Sequence, residues 1–150
     1  MPKKFIFRLE SLLRYREHLE QMAQQMVAQA HMDLSECENR LTILGDELGG
    51  TLNDLERRML AGIEADQYHR YTAYVVQLET VLAMEGERHK DLIRILREKQ
   101  AILSKRSVEK KVLENLKQRK QTEYYDNVTR LLQKESEEMS IIREVREMER

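Results

Sequence analysis

Tryptophan is absent from this chain, proline occurs once, at Pro2, and aromatic residues make up only 5% of its 150 residues. A globular core of ordinary size draws much of its buried area from aromatic side chains, so such a core is not expected here. Charged residues reach 35%. This composition favours helices that bury a narrow seam against each other. We therefore expect an all-α protein.

Cysteine and long apolar runs are also scarce. Cys37 is the only cysteine, which excludes an internal disulfide and fits a reducing compartment. No apolar run approaches the roughly 18 residues needed to span a bilayer, and the opening MPKKFIFRLE is charged too early for a secretory signal. The formal net charge of -1 favours neither nucleic acid nor an anionic membrane. We expect a soluble cytoplasmic protein.

What the chain does contain is an apolar ladder along its first half. Its steps are all three or four residues, and fourteen steps over 50 residues give a mean spacing of about 3.57, typical of a weakly left-handed coiled coil. The ladder predicts one helix over about residues 8–60. Its members are Leu9, Leu12, Arg16, Leu19, Ala23, Met26, Ala30, Leu34, Cys37, Leu41, Leu44, Leu48, Leu52, Leu55 and Met59.

A single point of the chain carries both a helix stop and a helix start. In LAGIEAD, Gly62 suits the left-handed residue that follows a helix, and Asp66 suits the N-cap of the next one. We predict a turn over about residues 61–66 and a second helix over about 67–145. The prediction is therefore a single domain over residues 1–150, folded as a long two-helix antiparallel coiled-coil hairpin. The end of the longer second helix should project beyond Leu9 or fray.

Catalytic and metal-binding patterns are missing. No glycine-rich loop precedes a Lys-Ser or Lys-Thr pair, and the four histidines lack metal spacing, alone or with Cys37. A helical hairpin also offers no deep pocket. We expect no enzyme activity, no cofactor and no bound metal.

Three polar or reactive features have ordinary structural interpretations. Cys37 fits a small buried side chain in the seam. His89 beside Glu85 fits a polar pair that sets the register of the two helices, ahead of a pH switch. Residues 104–120 carry seven basic and two acidic side chains, which raises the alternative of nucleic-acid binding. No aromatic residues interleave with them, so a solvated face or a protein-docking patch is the preferred interpretation.

Two segments have more apolar surface than one seam needs. Near the start of the second helix, Tyr71 and Leu78 serve the seam, and Tyr74 and Val81 flank it, either to widen the seam or to contact a partner. At the N-terminus, aromatic and leucine residues outside the ladder alternate with arginines, a combination typical of interface anchors. These residues are Phe5, Phe7, Leu13 and Tyr15 with Arg8, Arg14 and Arg16.

Three segments together resemble the FliJ family of flagellar type III export proteins. The opening FRLESLLRYREHLE is similar to the family's Phe-x-Leu-x-x-Leu-Leu-x-x-Arg start. The middle, AGIEADQYHRYTAYVVQLE, is similar to its Gly-Ile turn followed by paired aromatics, and EKKVLENLKQRKQTEYYDNVTRLLQKESEE resembles its Lys/Glu-rich final helix.

The resemblance implies a cytoplasmic stalk, similar to the central stalk of rotary ATPases, that docks in the ring of the export ATPase. It also implies contacts with the export gate, a membrane protein, and with export chaperones. We expect the ATPase at Phe5, Phe7, Arg8, Leu13, Arg14, Tyr15 and Arg16, and the gate at Tyr71, Tyr74, Leu78 and Val81. Two alternatives stay open: the equivalent stalk of a virulence secretion system, and a nucleic-acid-binding coiled coil. A prefoldin-like holdase is disfavoured because LAGIEAD is too short for the β-hairpins it needs.

Overall fold

Two helices make up almost all of the chain in a computed structural model, which describes residues 3–150. Helix α1 spans Glu10–Ala61 and helix α2 spans Ala65–Met148. Both are rich in good helix formers, and no proline interrupts either of them. The predicted all-α helical hairpin is confirmed, and the described residues contain no strand.

The connection between the helices is three residues long. Gly62 has a φ of 92°, a conformation that side chains bearing a Cβ rarely adopt, and its N–H donates to the Met59 carbonyl at 3.3 Å. The Tyr68 N–H donates to the Glu64 carbonyl at 3.1 Å, so the cap of α2 falls on Glu64. Asp66 lies inside the first turn, where its negative charge suits the helix N-terminus. The connection is thus shorter than the predicted turn at about 61–66.

The chain divides into two compact units. Gln21–Ser104 forms the first, which contains the turn and is called here the hairpin unit. The second, called the terminal unit, combines the residues up to Glu20 with Lys105–Arg150. Each unit pairs a stretch of α1 with a stretch of α2.

The buried positions follow a strict heptad spacing. Along α1, an alternating series of three- and four-residue steps from Leu13 to Leu55 is buried or half-buried throughout, and its twelve steps over 42 residues average 3.5. The same holds along α2 from Tyr71 to Leu113. This is the periodicity of a two-stranded coiled coil, tighter than the 3.57 expected from the apolar ladder.

The ladder was wrong in its first turns and in part near its end. Leu12 is 38% exposed, whereas its neighbour Leu13 is 3% exposed and takes the seam position. The seam then runs through Arg16 and Glu20, not through Leu19. Other ladder residues that the structure exposes are Leu9, Met26, Leu52 and Met59. Counting apolar residues misses this register in part because the seam position at Glu20 holds a charged side chain, which an ion pair with Lys110 neutralises.

Within each unit, the contacts between helices show antiparallel pairing. In the hairpin unit, the Tyr71 hydroxyl donates to Asp54 at 2.7 Å, and His89 meets Glu38 at 3.2 Å. In the terminal unit, Lys117 lies 2.9 Å from Glu10. In each contact, a residue later in α2 meets a residue earlier in α1, as antiparallel helices require.

Candidate partner-binding surfaces

The predicted N-terminal anchors divide into buried and exposed residues. Phe7 is 9% exposed and, with Leu13 and Leu113, forms the core of the terminal unit. Phe5 packs against this core and lies 5.7 Å, between ring centres, from Tyr124. Phe7 and Leu13 therefore serve the fold, and the expectation that they offer free apolar surface is corrected. The physical reason is that the segment before α1 packs along α2 and uses its aromatic side chains there.

The exposed part of the N-terminal segment is basic and apolar. Arg8 and Tyr15 are exposed, and 77% of the Arg14 side chain is accessible. Ile6, at 82% exposure, was missed by sequence reasoning. Its only signal in the sequence was its place between two aromatic residues: Phe5 is half-buried and Phe7 is buried, whereas Ile6 between them is exposed. The surface available to a partner thus differs from the predicted one.

Arg16 is held inside the terminal unit. Its guanidinium donates to the Glu109 carboxylate, which Arg106 also contacts at 3.3 Å. Only 29% of the Arg16 side chain is accessible. A charged pair at a seam position fixes the register of the two helices more readily than it recognises a partner.

A second ion pair lies one turn further along α1. Lys110 donates to Glu20 at 2.8 Å, and Glu20 is 9% exposed. The hydrogen bond from Lys110 lowers the pKa of the Glu20 carboxyl despite its burial, and the same bond raises the pKa of Lys110. Lys110 also lies 3.7 Å from Glu114. At neutral pH, Glu20 is therefore negatively charged and Lys110 positively charged, and the two charges compensate each other.

These pairs change the interpretation of the basic stretch at residues 104–120. Four of its seven basic side chains lie within 4 Å of a carboxylate, namely Arg106, Lys110, Lys117 and Lys120. A nucleic-acid groove needs cations free to replace phosphate counterions. Two of these pairs, Lys110 with Glu20 and Lys117 with Glu10, join α2 to α1, and the other two lie within α2.

A shallow cleft lies between the N-terminal segment and α2. Its volume is about 580 Å³, and its walls are mainly apolar. The Tyr124 hydroxyl is buried beside it without a hydrogen-bond partner among the described residues. Lining residues from the two sides are Phe5, Ile6, Phe7, Arg8 and Leu9, and Leu116, Lys120, Glu123, Tyr124 and Asn127. A buried hydroxyl without a partner is costly, so Tyr124 is the one polar group of this cleft whose environment is unfavourable among the residues described.

In the hairpin unit, the residues predicted to bind the gate also divide into buried and exposed ones. Leu78 is 5% exposed and belongs to the seam, and Tyr71 is tied to Asp54 with Arg58 stacked 5.5 Å from its ring centre. Its hydrogen bond to Asp54 raises the pKa of Tyr71 and lowers that of Asp54. Tyr74 and Val81 are 38% and 36% exposed. They lie seven residues apart on one face, so these two form the accessible part of the patch.

The described residues contain no group of three His, Cys, Asp or Glu side chains arranged for a metal ion. Across residues 3–150, no helix has a stretch long and apolar enough to cross a bilayer.

Comparison with known protein families gives one match. The model of the flagellar FliJ protein family matches residues 5–149. The chain belongs to the FliJ family. Neither the curated proteins nor the solved structures contain a significant match to it. Membership makes it a flagellar export-related protein, as the resemblance predicted.

The FliJ match covers features of both units. It includes the cleft at Tyr124, the Tyr74 and Val81 face, and the end of α2.

From residue 129 onward, every position of α2 is exposed. Residues 116–127 of α2 lie opposite the N-terminal segment, along the cleft. The predicted projection of α2 beyond Leu9 is present as helix through Met148.

The polar layer in the hairpin seam is more extensive than the sequence indicated. Cys37 is 1% exposed, and its thiol lies 3.5 Å from a carboxylate oxygen of Glu85. Burial, with Glu85 beside it, raises the pKa of the Cys37 thiol, so the group is an unreactive one. Arg40 and Arg88 each lie 3.8 Å from Glu85 and balance its charge. His89 pairs with Glu38 and not with Glu85.

Proposed function

We propose that this FliJ-family chain is a non-enzymatic, stalk-like component of the flagellar export apparatus, linking the export ATPase ring to the export gate and to export chaperones. The observation that carries the proposal is the exposed surface of the terminal unit. There, a basic and apolar surface at Ile6, Arg8 and Arg14 accompanies an α2 end whose side chains are exposed. A helical end with unfilled apolar surface suits insertion into a ring of subunits. On this proposal the chain works in the cytoplasm and reaches the inner face of the membrane only through its partners.

The ATPase site is tested by charge reversal at exposed arginines. Arg8→Glu with Arg14→Glu should abolish stimulation of the purified export ATPase, because opposite charge at a docking surface weakens encounter and binding. Arg57→Glu is the matched control, since its side chain is 78% accessible against 77% for Arg14. Arg16 is left intact because it holds the seam. Equal loss of stimulation in both variants contradicts docking at this end.

The gate site is tested with two tyrosines of nearly equal exposure. Tyr74 and Tyr68 are 38% and 39% exposed, and both lie in the hairpin unit. Tyr74→Ala should weaken binding of the cytoplasmic part of the export gate about tenfold, whereas Tyr68→Ala should leave it unchanged. Binding is measured by titration calorimetry, with circular dichroism as the folding control. A Tyr74→Ala protein that binds normally contradicts the assignment.

Two alternatives are less well supported. The stalk of a virulence secretion system shares the geometry, but the matching family model is flagellar. Nucleic-acid binding is disfavoured by the ion pairs that occupy most of the basic stretch. Salt-dependent binding of DNA to the intact chain would revive it.

A further inference from the structure

Residues 3–8, which precede α1, lie along α2 without forming part of a helix and are called here the strap. Two aromatic side chains anchor it. Phe7 is buried in a core with Leu113 of α2, and Phe5 packs against this core with its ring centre 5.7 Å from that of Tyr124. The strap is therefore attached to α2 through apolar surface.

Polar contacts do not fasten the strap to α2. Across residues 3–150, the one backbone hydrogen bond of the strap is local, from the Glu10 N–H to the Phe7 carbonyl at 3.2 Å. Its basic residues, Lys3, Lys4 and Arg8, take no part in the ion pairs that the terminal unit forms among these residues. Apolar contacts therefore carry the attachment.

Docking of the strap leaves one polar group in an unfavourable environment. Helix α1 begins at Glu10, which pairs with Lys117, so the strap is the part of the chain that covers Tyr124 further along α2. The Tyr124 hydroxyl is buried there without a hydrogen-bond partner among the described residues. Release of the strap admits water, which supplies the missing hydrogen bond.

Two further contributions set the balance between docking and release. Burial of the Phe5 and Phe7 side chains favours docking. The loss of backbone freedom in the strap opposes it, and a cleft of about 580 Å³ remains between the strap and α2, so the contact is incomplete. We propose that the strap is a displaceable cover of α2, which exchanges between this docked state and a released one.

The exchange changes the surface that the terminal unit presents. The docked strap covers part of Leu116 and Tyr124 on α2. Release exposes both, and Tyr124 then joins Leu131, which lies two turns further along the same face and is 61% exposed. Ile6 and Arg8 leave α2 with the strap. These two residues belong to the surface proposed for the ATPase, but the exchange itself does not depend on that assignment.

Matched tyrosine variants test whether the buried hydroxyl contributes to this balance. Tyr124→Phe keeps the ring that Phe5 contacts and removes the hydroxyl, so it should raise the ratio of docked to released strap roughly tenfold. Tyr125→Phe is the control, because Tyr125 is 54% exposed, and it should leave the ratio unchanged. Phe7→Ala removes a buried anchor and should shift the strap to the released state.

Double electron–electron resonance on the full-length chain measures this ratio. Spin labels on Ile6→Cys and Ser136→Cys are about 20 Å apart along α2 in the docked state, because the strap meets α2 near Tyr124. Ile6 is 82% exposed, so the label leaves the packing intact, and Cys37 stays unlabelled because it is 1% exposed. Labels on Arg14→Cys and Ser136→Cys report the pairing of α1 with α2 and should give one narrow distance in every variant.

The labelled protein without further substitution should give a narrow docked distance together with a broad released one. Tyr124→Phe should enlarge the narrow component, and Phe7→Ala should enlarge the broad one. A single narrow distance shows that the strap does not exchange and overturns the proposal. No shift in Tyr124→Phe, or an equal shift in Tyr125→Phe, also overturns it. The tyrosine pair decides alone if Phe7→Ala broadens the Arg14 distance as well.

Discussion

Leu12 and Leu13 are adjacent leucines with opposite environments. Leu13 is 3% exposed in the core of the terminal unit, and Leu12 is 38% exposed. Leu13→Ala should lower the free energy of unfolding by about 2–3 kcal/mol, because it removes buried methyl groups and leaves a cavity. Leu12→Ala should cost less than about 1 kcal/mol. Urea denaturation of the two variants makes the comparison, and equal losses would contradict the register described here.

The Glu20–Lys110 pair gives stability that depends on pH. The lowered pKa of Glu20 means that the unfolded chain binds its proton first as the pH falls, so this contribution is complete above the ordinary carboxyl pKa and is lost as the pH drops through the lowered one. The pKa of Lys110 is raised, so the stability that the charged lysine contributes is lost only at strongly alkaline pH.

The substitution Glu20→Gln tests whether this stability is lost at acid pH. At pH 7 the variant should be less stable by about 1–3 kcal/mol, the range for a hydrogen bond to a charged group. The difference should shrink as the pH is lowered below 4. Denaturation midpoints of both proteins across pH 3–7 measure it. Parallel pH profiles would show that Glu20 carries no charge-dependent stability.

The seam near these residues shows where sequence reasoning succeeds and where it fails. From Ala30 to Leu48 the apolar ladder and the observed seam coincide, because hydrophobic side chains occupy every step. Nearer the N-terminus the two diverge at Leu19 and Glu20. Hydrophobicity favours Leu19, but the structure buries Glu20 more deeply, since Lys110 on α2 neutralises it. A partner 90 residues away along the chain leaves no local signal.

At the scale of the helices, the glycines have two different roles. Gly62 has a positive φ in the turn, whereas Gly49 lies within α1 and has open space where a Cβ would be. The turn was predictable because only one glycine is followed by a helix start. The continuity of α1 through its internal glycines was predictable because the ladder passes them without a shift.

Alanine substitutions should therefore act in opposite directions. Gly62→Ala should destabilise the protein by about 1 kcal/mol, since a side chain is strained at a φ of 92°. Gly49→Ala should stabilise it by up to about 1 kcal/mol, because alanine favours the helix and meets no neighbour within 4 Å. Thermal denaturation followed by circular dichroism measures both. A loss of stability in Gly49→Ala would indicate that α1 is not a regular helix at that point.

For the whole molecule, the sequence indicated the two-helix fold and the excess length of α2, because helix length and turn position depend on local signals. It did not indicate which apolar residues stay free. Phe7 and Leu13 look like interface anchors in the sequence, and the structure buries both. Burial depends on where the opposite helix lies, so only the three-dimensional arrangement separates core from contact surface.

The exposed end of α2 leads to the final prediction. Residues 129–150 lie on no other part of the described chain, so their deletion removes helix without removing packing. At low micromolar concentration, the truncated chain should lose helical signal in proportion to its length and keep the melting temperature of the full chain. Melting curves of the two proteins at the same concentration, followed by circular dichroism, test this. A lower melting temperature for the dilute truncated chain would mean that this end packs on its own chain.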